Sequence, residues 1–244
     1  TKLVGLSVQS PTANLNGRFD YVQLQVVGQL DNGETLDVTR MVQAQFSAPV
    51  AEFSATGLLR PKTDGQANLV LTAGGQTANV AVNVVNTAAN AKIDYVRDVT
   101  PLLSKLGCNQ GTCHGSAKGK AGFKLSLRGY DPIFDIRALT DDHGSRRVNL
   151  ASPGDSLMLV KPTGEAPHVG GVLMQPGDVY YDVFRNWIAS GATLDLASPK
   201  VVGIELLPKN PVVQRIGSKQ QMRVIATYAD GKTRDVTREA FVDT

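Results

Sequence analysis

The segment Cys108-Asn109-Gln110-Gly111-Thr112-Cys113-His114 gathers the chain's only two cysteines and one of its three histidines. Two neighbouring thiols can add to the two vinyl groups of a haem, while the adjacent imidazole meets the iron from one face. The usual attachment signature has two residues between its cysteines; four stand here. At about 100° per helical residue, positions five apart point about 140° from each other, so the linker has to loop out. Asn109, Gln110 and Gly111 suit that loop, because Asn and Gly tolerate positive φ. The spacing also leaves a plain disulfide open, which is sterically possible in a short loop of an exported protein. A zinc site finds too few ligands, and a catalytic thiol has no base and orienting residue nearby.

The elements around this segment read as two helices. Thr100-Pro101 supplies an N-cap and first helical residue for Leu102, Leu103 and Leu106, and Gly107 ends the helix just before Cys108. Asp178 is placed to cap a second helix through Tyr181, Phe184, Trp187 and Ile188, with Gly191 as its stop. The sequence between them is rich in glycine. This predicts a small α-helical domain too poor in apolar side chains to form an independent core easily, whose missing volume a buried haem would supply. Thr87-Ala88-Ala89-Asn90-Ala91 reads as the linker that precedes it.

On either side of this middle lies one module written twice. Val4-Gly5-Leu6 returns as Val202-Gly203-Ile204, and Asn32-Gly33-Glu34-Thr35-Leu36-Asp37-Val38-Thr39-Arg40 returns at the same offset as Asp230-Gly231-Lys232-Thr233-Arg234-Asp235-Val236-Thr237-Arg238. The alternating runs Val22-Gln23-Leu24-Gln25-Val26 and Val80-Ala81-Val82-Asn83-Val84 predict half-buried strands, with Asn-Gly and Asp-Gly as hairpin turns. Short strands and polar turns over about 85 residues predict a β-sandwich. The repeated Asp-Val-Thr reads as structural, its side-chain oxygens capping the turn.

A formal charge of +3, with Lys and Arg scattered, gives no reason to expect nucleic acid or membrane lipid as partner. No apolar run approaches a membrane span. Strand-like sequence starts at Thr1 without a signal peptide, as expected of a processed or recombinant fragment. Export to a periplasmic or similar bacterial compartment is inferred from the haem motif and the repeated modules.

Residues 1–87 resemble a bacterial Ig-like domain of group 2, through the Asp-Gly-x-Thr-x-Asp-Val-Thr turn, Phe53-Ser54-Ala55-Thr56-Gly57 and the closing Val-x-Val-x-Val strand. Residues 93–195 resemble the planctomycete-type cytochrome c module with four residues between its cysteines. The matches are Leu106 to Gly115, Gly122 to Asp131, Arg146-Arg147-Val148-Asn149, Leu159 to Gly164, Pro167-His168-Val169-Gly170-Gly171 and Trp187 to Ala192. The resemblance favours haem attachment over the disulfide. It implies a monohaem c-type cytochrome fused to Ig-like modules within a longer exported protein. The expected fold is mixed and multidomain: an all-β Ig-like sandwich over 1–87, a mainly α cytochrome c domain over 93–195, and a partial second Ig-like domain over 200–244.

Within that expectation Cys108 and Cys113 attach one haem c, and His114 is the proximal iron ligand. His168 is the expected distal ligand: Pro167 stiffens its approach, Gly170-Gly171 let backbone come close to a macrocycle, and it matches the family's histidine position. Met174 is the alternative, and its ligation would raise the potential. His143, in Asp141-Asp142-His143-Gly144, reads as a solvated turn residue. Arg128, Arg146, Arg147 and Lys161 are the family-matched cations from which propionate partners would come. Phe123, Leu125, Leu127, Tyr130, Leu159 and Trp187 would wall the pocket, or pack as ordinary core.

With two protein ligands the iron has no free site, so the expected function is outer-sphere electron transfer, without catalysis, toward a redox partner protein or other domains of the parent chain. Two alternatives stand: a haem enzyme or gas sensor with an open sixth position, and a haem-free Ig-like scaffold stapled by Cys108 and Cys113. The second module covers only half of its repeat. Half a sandwich leaves an apolar face and unpaired edges, so residues 200–244 are expected to be ordered by another copy of the chain, as a homo-oligomer, or by a segment outside this sequence.

Overall fold

A computed structural model describes residues 1–90, 92–213 and 216–242. The chain forms two compact units, Thr1–Ala91 with Val201–Arg238 and Lys92–Lys200 with Glu239–Thr244. Among the described residues thirteen strands fall into four sheets, and helix is confined to seven short segments.

The chain is therefore mostly β, with only 17% helix, and the expected central, mainly α cytochrome c domain is not there. The cause is local. Thirteen glycines and seven prolines lie between residues 92 and 200, and eight of those glycines have positive φ. A left-handed residue cannot continue a right-handed helix, and proline removes a helical donor. What forms instead is a loop-rich unit pinned by a π-helical turn Tyr95–Val99 and four short helices: α1 (Thr100–Lys105), α2 (Pro132–Thr140), α3 (Leu157–Val160) and α4 (Val179–Ala189).

In that unit α1 does not start at a Thr100 cap. It continues directly from the π-helical turn, which is capped by Asp94 accepting from the Arg97 N–H at 2.7 Å. Gly107 does end the run, at φ 80° and with its N–H on Ser104 O. Asp178 precedes α4 without a side-chain bond to the helix, its carboxylate taking the Gln175 N–H at 2.6 Å instead. Val183, Phe184, Trp187 and Ile188 line the buried face of α4. Trp187 is fully buried against Tyr95, with ring centroids 5.2 Å apart, and donates Nε1–H to Thr193 O at 3.1 Å.

The other unit opens with β1 (Leu3–Val8), β2 (Thr12–Asn16), β3 (Val22–Gln23), β4 (Val26–Leu30) and β5 (Thr35–Asp37). It continues with β6 (Gln43–Phe46), β7 (Ala51–Phe53), β8 (Leu58–Pro61), β9 (Gly65–Ala73) and β10 (Gln76–Val85). Three sheets result, ordered β1-β4-β5, β2-β10-β9-β6 and β3-β8-β7, with β2 running parallel to β10. The run Val22 to Val26 is not one strand. It breaks at Leu24-Gln25 and passes from the β3 sheet to the β4 sheet. Period-two alternation then places Val80, Val82 and Val84 of β10 inward, against Leu69 and Leu71 of β9 and Leu15, Leu24, Val26 and Leu59. Each such side chain contributes about 1.5–3 kcal/mol on full burial.

The repeated half-module has the same plan. β11 (Val201–Leu207), β12 (Arg223–Tyr228) and β13 (Thr233–Asp235) form a sheet ordered β11-β12-β13, the counterpart of β1-β4-β5. The registers match residue for residue: Leu6↔Gly28 answers Ile204↔Ala226, and the irregularity between Leu3 and Gly5 recurs between Val201 and Gly203. In each copy the Asp-Val-Thr turn is built alike. Asp37 and Asp235 accept the N–H of Thr39 and Thr237, and those threonine hydroxyls accept the N–H of Val26 and Val224.

The two copies also bind each other reciprocally. Asp235 Oδ2 accepts the Gln23 N–H at 2.8 Å, and Asp37 Oδ2 accepts the Gln221 N–H at 2.7 Å. Gln23 and Gln221 are themselves repeat equivalents, so residue i of one copy meets j of the other and j meets i, as in a two-fold interface. Arg223, 6% exposed, lies 3.8 Å from the Asp235 carboxylate and donates to Ser10 Oγ at 3.0 Å. Over the described part of Val201–Arg238 the ordering contact sought for the second copy is supplied within this unit, by the first copy, in place of another chain. The apolar side chains of β11, Val202 and Ile204 among them, remain exposed.

Candidate functional site

The Cys108 to His114 segment follows directly on α1. Gly107 turns the chain, Cys108 N–H bonds back to Leu103 O, and His114 N–H closes the loop on Cys108 O at 3.0 Å. The linker loops out as expected, but by another means: the positive φ is at Gly107, whereas Asn109 and Gly111 do without it. Asn109 is buried at 1% exposure, its side chain donating to Ser104 Oγ at 2.9 Å and its carbonyl taking the Arg128 N–H. Gly115 has a stricter reason to be glycine, since a Cβ there would overlap Asn109 O and C.

Both cysteines are free thiols. Burial, and secondarily the neighbouring Cys113, pushes the Cys108 thiol up to about 12. A thiol held protonated at neutral pH is a poor nucleophile for catalysis.

His114 is half-buried, with its Nδ1 3.1 Å from Phe123 O. A carbonyl only accepts, so this bond places the imidazole proton on Nδ1 and leaves the lone pair on Nε2. The Phe123 ring stacks at 4.5 Å from the imidazole. Burial holds His114 below the ordinary imidazole range; the Phe123 bond acts against this, and the charge of His168 acts with it. His168 is therefore within electrostatic reach of His114. It repeats the same arrangement, with Nδ1 3.1 Å from Gly171 O. Gly170 permits this: a Cβ there would come within 2.7 Å of the His168 ring.

A scan against family models finds no match to this chain, and a search of curated proteins finds none either.

The remaining residues divide clearly. Met174 is buried at 3% exposure, with its backbone N–H on Pro162 O. His143 is exposed in a turn at φ 57°. Arg128 and Arg146 are exposed, and Lys161 reaches the His168 loop by donating to Pro167 O at 3.0 Å. Arg147 is different, being buried with its guanidinium already bound to Ala138 O and Gly122 O. Of the expected pocket wall, Leu125, Leu159 and Trp187 are core residues, Phe123 is half-buried, and Leu127 and Tyr130 are exposed.

Sequence reasoning missed the two carbonyls, Phe123 O and Gly171 O, that orient the imidazoles. Backbone acceptors carry no residue-type signal. The glycines at 122 and 171, both with positive φ, were the only trace of the turns that present them.

Among the described residues no group of three or more His, Cys, Asp or Glu could hold a bare metal ion. In its neutral form each of His114 and His168, with Nδ1–H given to a carbonyl, keeps a lone pair on Nε2 that a metal can use.

Proposed function

We propose that this chain carries one haem c, attached through Cys108 and Cys113 and ligated by His114 and His168, and that it transfers electrons. One observation carries the reading: His114, which follows Cys113 directly, and His168 each have Nδ1 fixed on a backbone carbonyl, at 3.1 Å in both cases. Bonds of this kind orient an imidazole and raise its basicity as a ligand. The resemblance of residues 93–195 to the planctomycete-type cytochrome c module points the same way. It is carried by the motifs and not by helix content.

A haem in this place supplies an iron that changes oxidation state. The chain's residues hold it. Each thiol would add its sulfur and its proton across one vinyl double bond, so no leaving group or oxidant is needed. His114 and His168 would hold its iron and, with both bound, would leave no place for an outside ligand, which separates this reading from an enzyme or gas sensor. Lys161, beside Pro167, and the exposed Arg128 and Arg146 are the cations available to propionates. Haem attachment of this type belongs to an exported compartment, and the recipient of the electron is another protein or another domain. Among the described residues no helix is long and apolar enough to cross a membrane.

The visible spectrum of the matured protein tests the ligation. Sharp low-spin bands are expected in the wild type, and His168→Ala should convert them to a high-spin spectrum. A spectrum unchanged in His168→Ala contradicts the assignment, and an open-site spectrum in the wild type favours the sensor or enzyme instead.

A further inference from the structure

Arg147, one of the cations expected to serve a propionate, is instead 8% exposed with its guanidinium already engaged by the protein. Nη1 donates to Ala138 O at 2.6 Å and lies 3.6 Å from the Asp142 carboxylate. Nη2 donates to Gly122 O at 2.8 Å. The guanidinium carbon stands 4.5 Å from the centroid of the Phe123 ring. The imidazole of His114 stands at the same distance from that ring. Phe123 is thus in contact with a cation and with the proximal imidazole.

The segment so held is a tight turn. Lys120 N–H bonds to Phe123 O at 2.8 Å, and Phe123 N–H bonds to Lys120 O at 3.1 Å. Phe123 O therefore accepts both Lys120 N–H and His114 Nδ1–H. Inside the turn Ala121 and Gly122 have φ of 52° and 74°. A left-handed alanine is strained and persists only where its surroundings hold it. Gly122 O, the acceptor Arg147 grips, is the carbonyl next to that strain and one residue before the acceptor of His114.

We propose that Arg147 is a positioning residue for His114, clamping the 120–123 turn so that Phe123 O holds the imidazole through Nδ1–H. The proposal deepens the haem reading and rests on it for its functional meaning, though the clamp is a property of the chain alone. Lysine is no substitute. A planar fork can bond two carbonyls and stack on a ring at once, whereas an ammonium on a flexible stem offers neither geometry.

The test uses the full chain, isotope-labelled and prepared without haem, with the His114 tautomer read from its imidazole nitrogen shifts. The wild type should hold the proton on Nδ1. Arg147→Lys keeps the charge but loses the fork, and should lower the Nδ1–H population several-fold while the emission of Trp187 stays that of the wild type. Phe123→Leu should do the same, and the double variant should add little, because both act through one turn. A His114 tautomer unchanged in Arg147→Lys overturns the proposal. Should that variant fail to fold, Phe123→Leu decides by the same readout, retention of the wild-type tautomer counting against the clamp. Failure of the wild type to bind haem would remove the haem reading while leaving the tautomer result intact. Haem binding with unmoved tautomers would remove the clamp alone.

Discussion

Asp235→Ala removes one carboxylate on which two buried groups depend. The Gln23 N–H, on a residue 3% exposed, loses its acceptor at 2.8 Å, and an unsatisfied buried donor costs about 1–3 kcal/mol. Arg223 loses the counter-charge at 3.8 Å and keeps only Ser10 as an uncharged partner. An uncompensated buried charge costs about 3–5 kcal/mol. Both losses pass through one side chain and are not additive, so the variant should be destabilised by about 3–5 kcal/mol. The repeat provides its own control. Asp37→Ala breaks the mirror bond to Gln221 N–H, but Gln221 is half-exposed and can turn to water, and its partner strand holds Gln25 where the second copy holds Arg223. That variant also frees the Thr39 N–H and Gln220 Nε2, and should lose about 1–3 kcal/mol, less than Asp235→Ala because no buried charge is left behind. Urea unfolding of the full chain, with hydrogen exchange followed at β12 and at β9, measures both. In Asp235→Ala the amides of β12 should lose protection before those of β9. An Asp235→Ala cost below about 0.5 kcal/mol, or a larger cost for Asp37→Ala, refutes the reasoning.

Three further outcomes are expected. Gly115→Ala should prevent the Cys108 to His114 loop from closing, because the new methyl overlaps Asn109 O; haem-stained yield of the exported chain would fall sharply, and a wild-type yield contradicts the loop geometry. Trp187→Ala should cost about 3–5 kcal/mol by removing the fully buried ring that packs on Tyr95 in the loop-rich unit, read as a drop in its denaturant midpoint. Burial raises Asp135 above the ordinary carboxylate range, the Ser126 bonds opposing it. Ionised Asp135 therefore weakens the fold above its folded pKa, and its contribution to stability improves as pH falls through that pKa toward the unfolded value. A carbon NMR titration of its carboxyl should show the raised midpoint; a midpoint at or below the ordinary value contradicts it.

The repeat was legible because its signal is redundant. Asp-Gly, Asp-Val-Thr and the Val-Gly pairs recur at one offset, and each sits at a turn or register position that only one backbone plan satisfies. The reciprocal docking of the copies was not legible, since Gln23 and Gln221 contribute backbone N–H groups that carry no residue identity. The mainly α middle was misjudged from the two apolar helices at its ends. The eight positive-φ glycines between residues 92 and 200 set its character, and of these Gly107 and Gly191 read in the sequence as helix stops and Gly171 as approach space for a cofactor. Arg147 was grouped with Arg128, Arg146 and Lys161 because the family motif matches all four; burial and its bonds to Ala138 O and Gly122 O separate it from Arg146.

The most direct test of the central claim is the intact mass of the chain after export in a bacterial host that matures c-type cytochromes, followed by denaturation and acid–acetone extraction. The account predicts that the chain keeps the mass of one haem and its colour, and that Cys108→Ala retains haem through a single link. A colourless chain with the haem recovered in the extract, or a mass showing a Cys108–Cys113 disulfide, would contradict it.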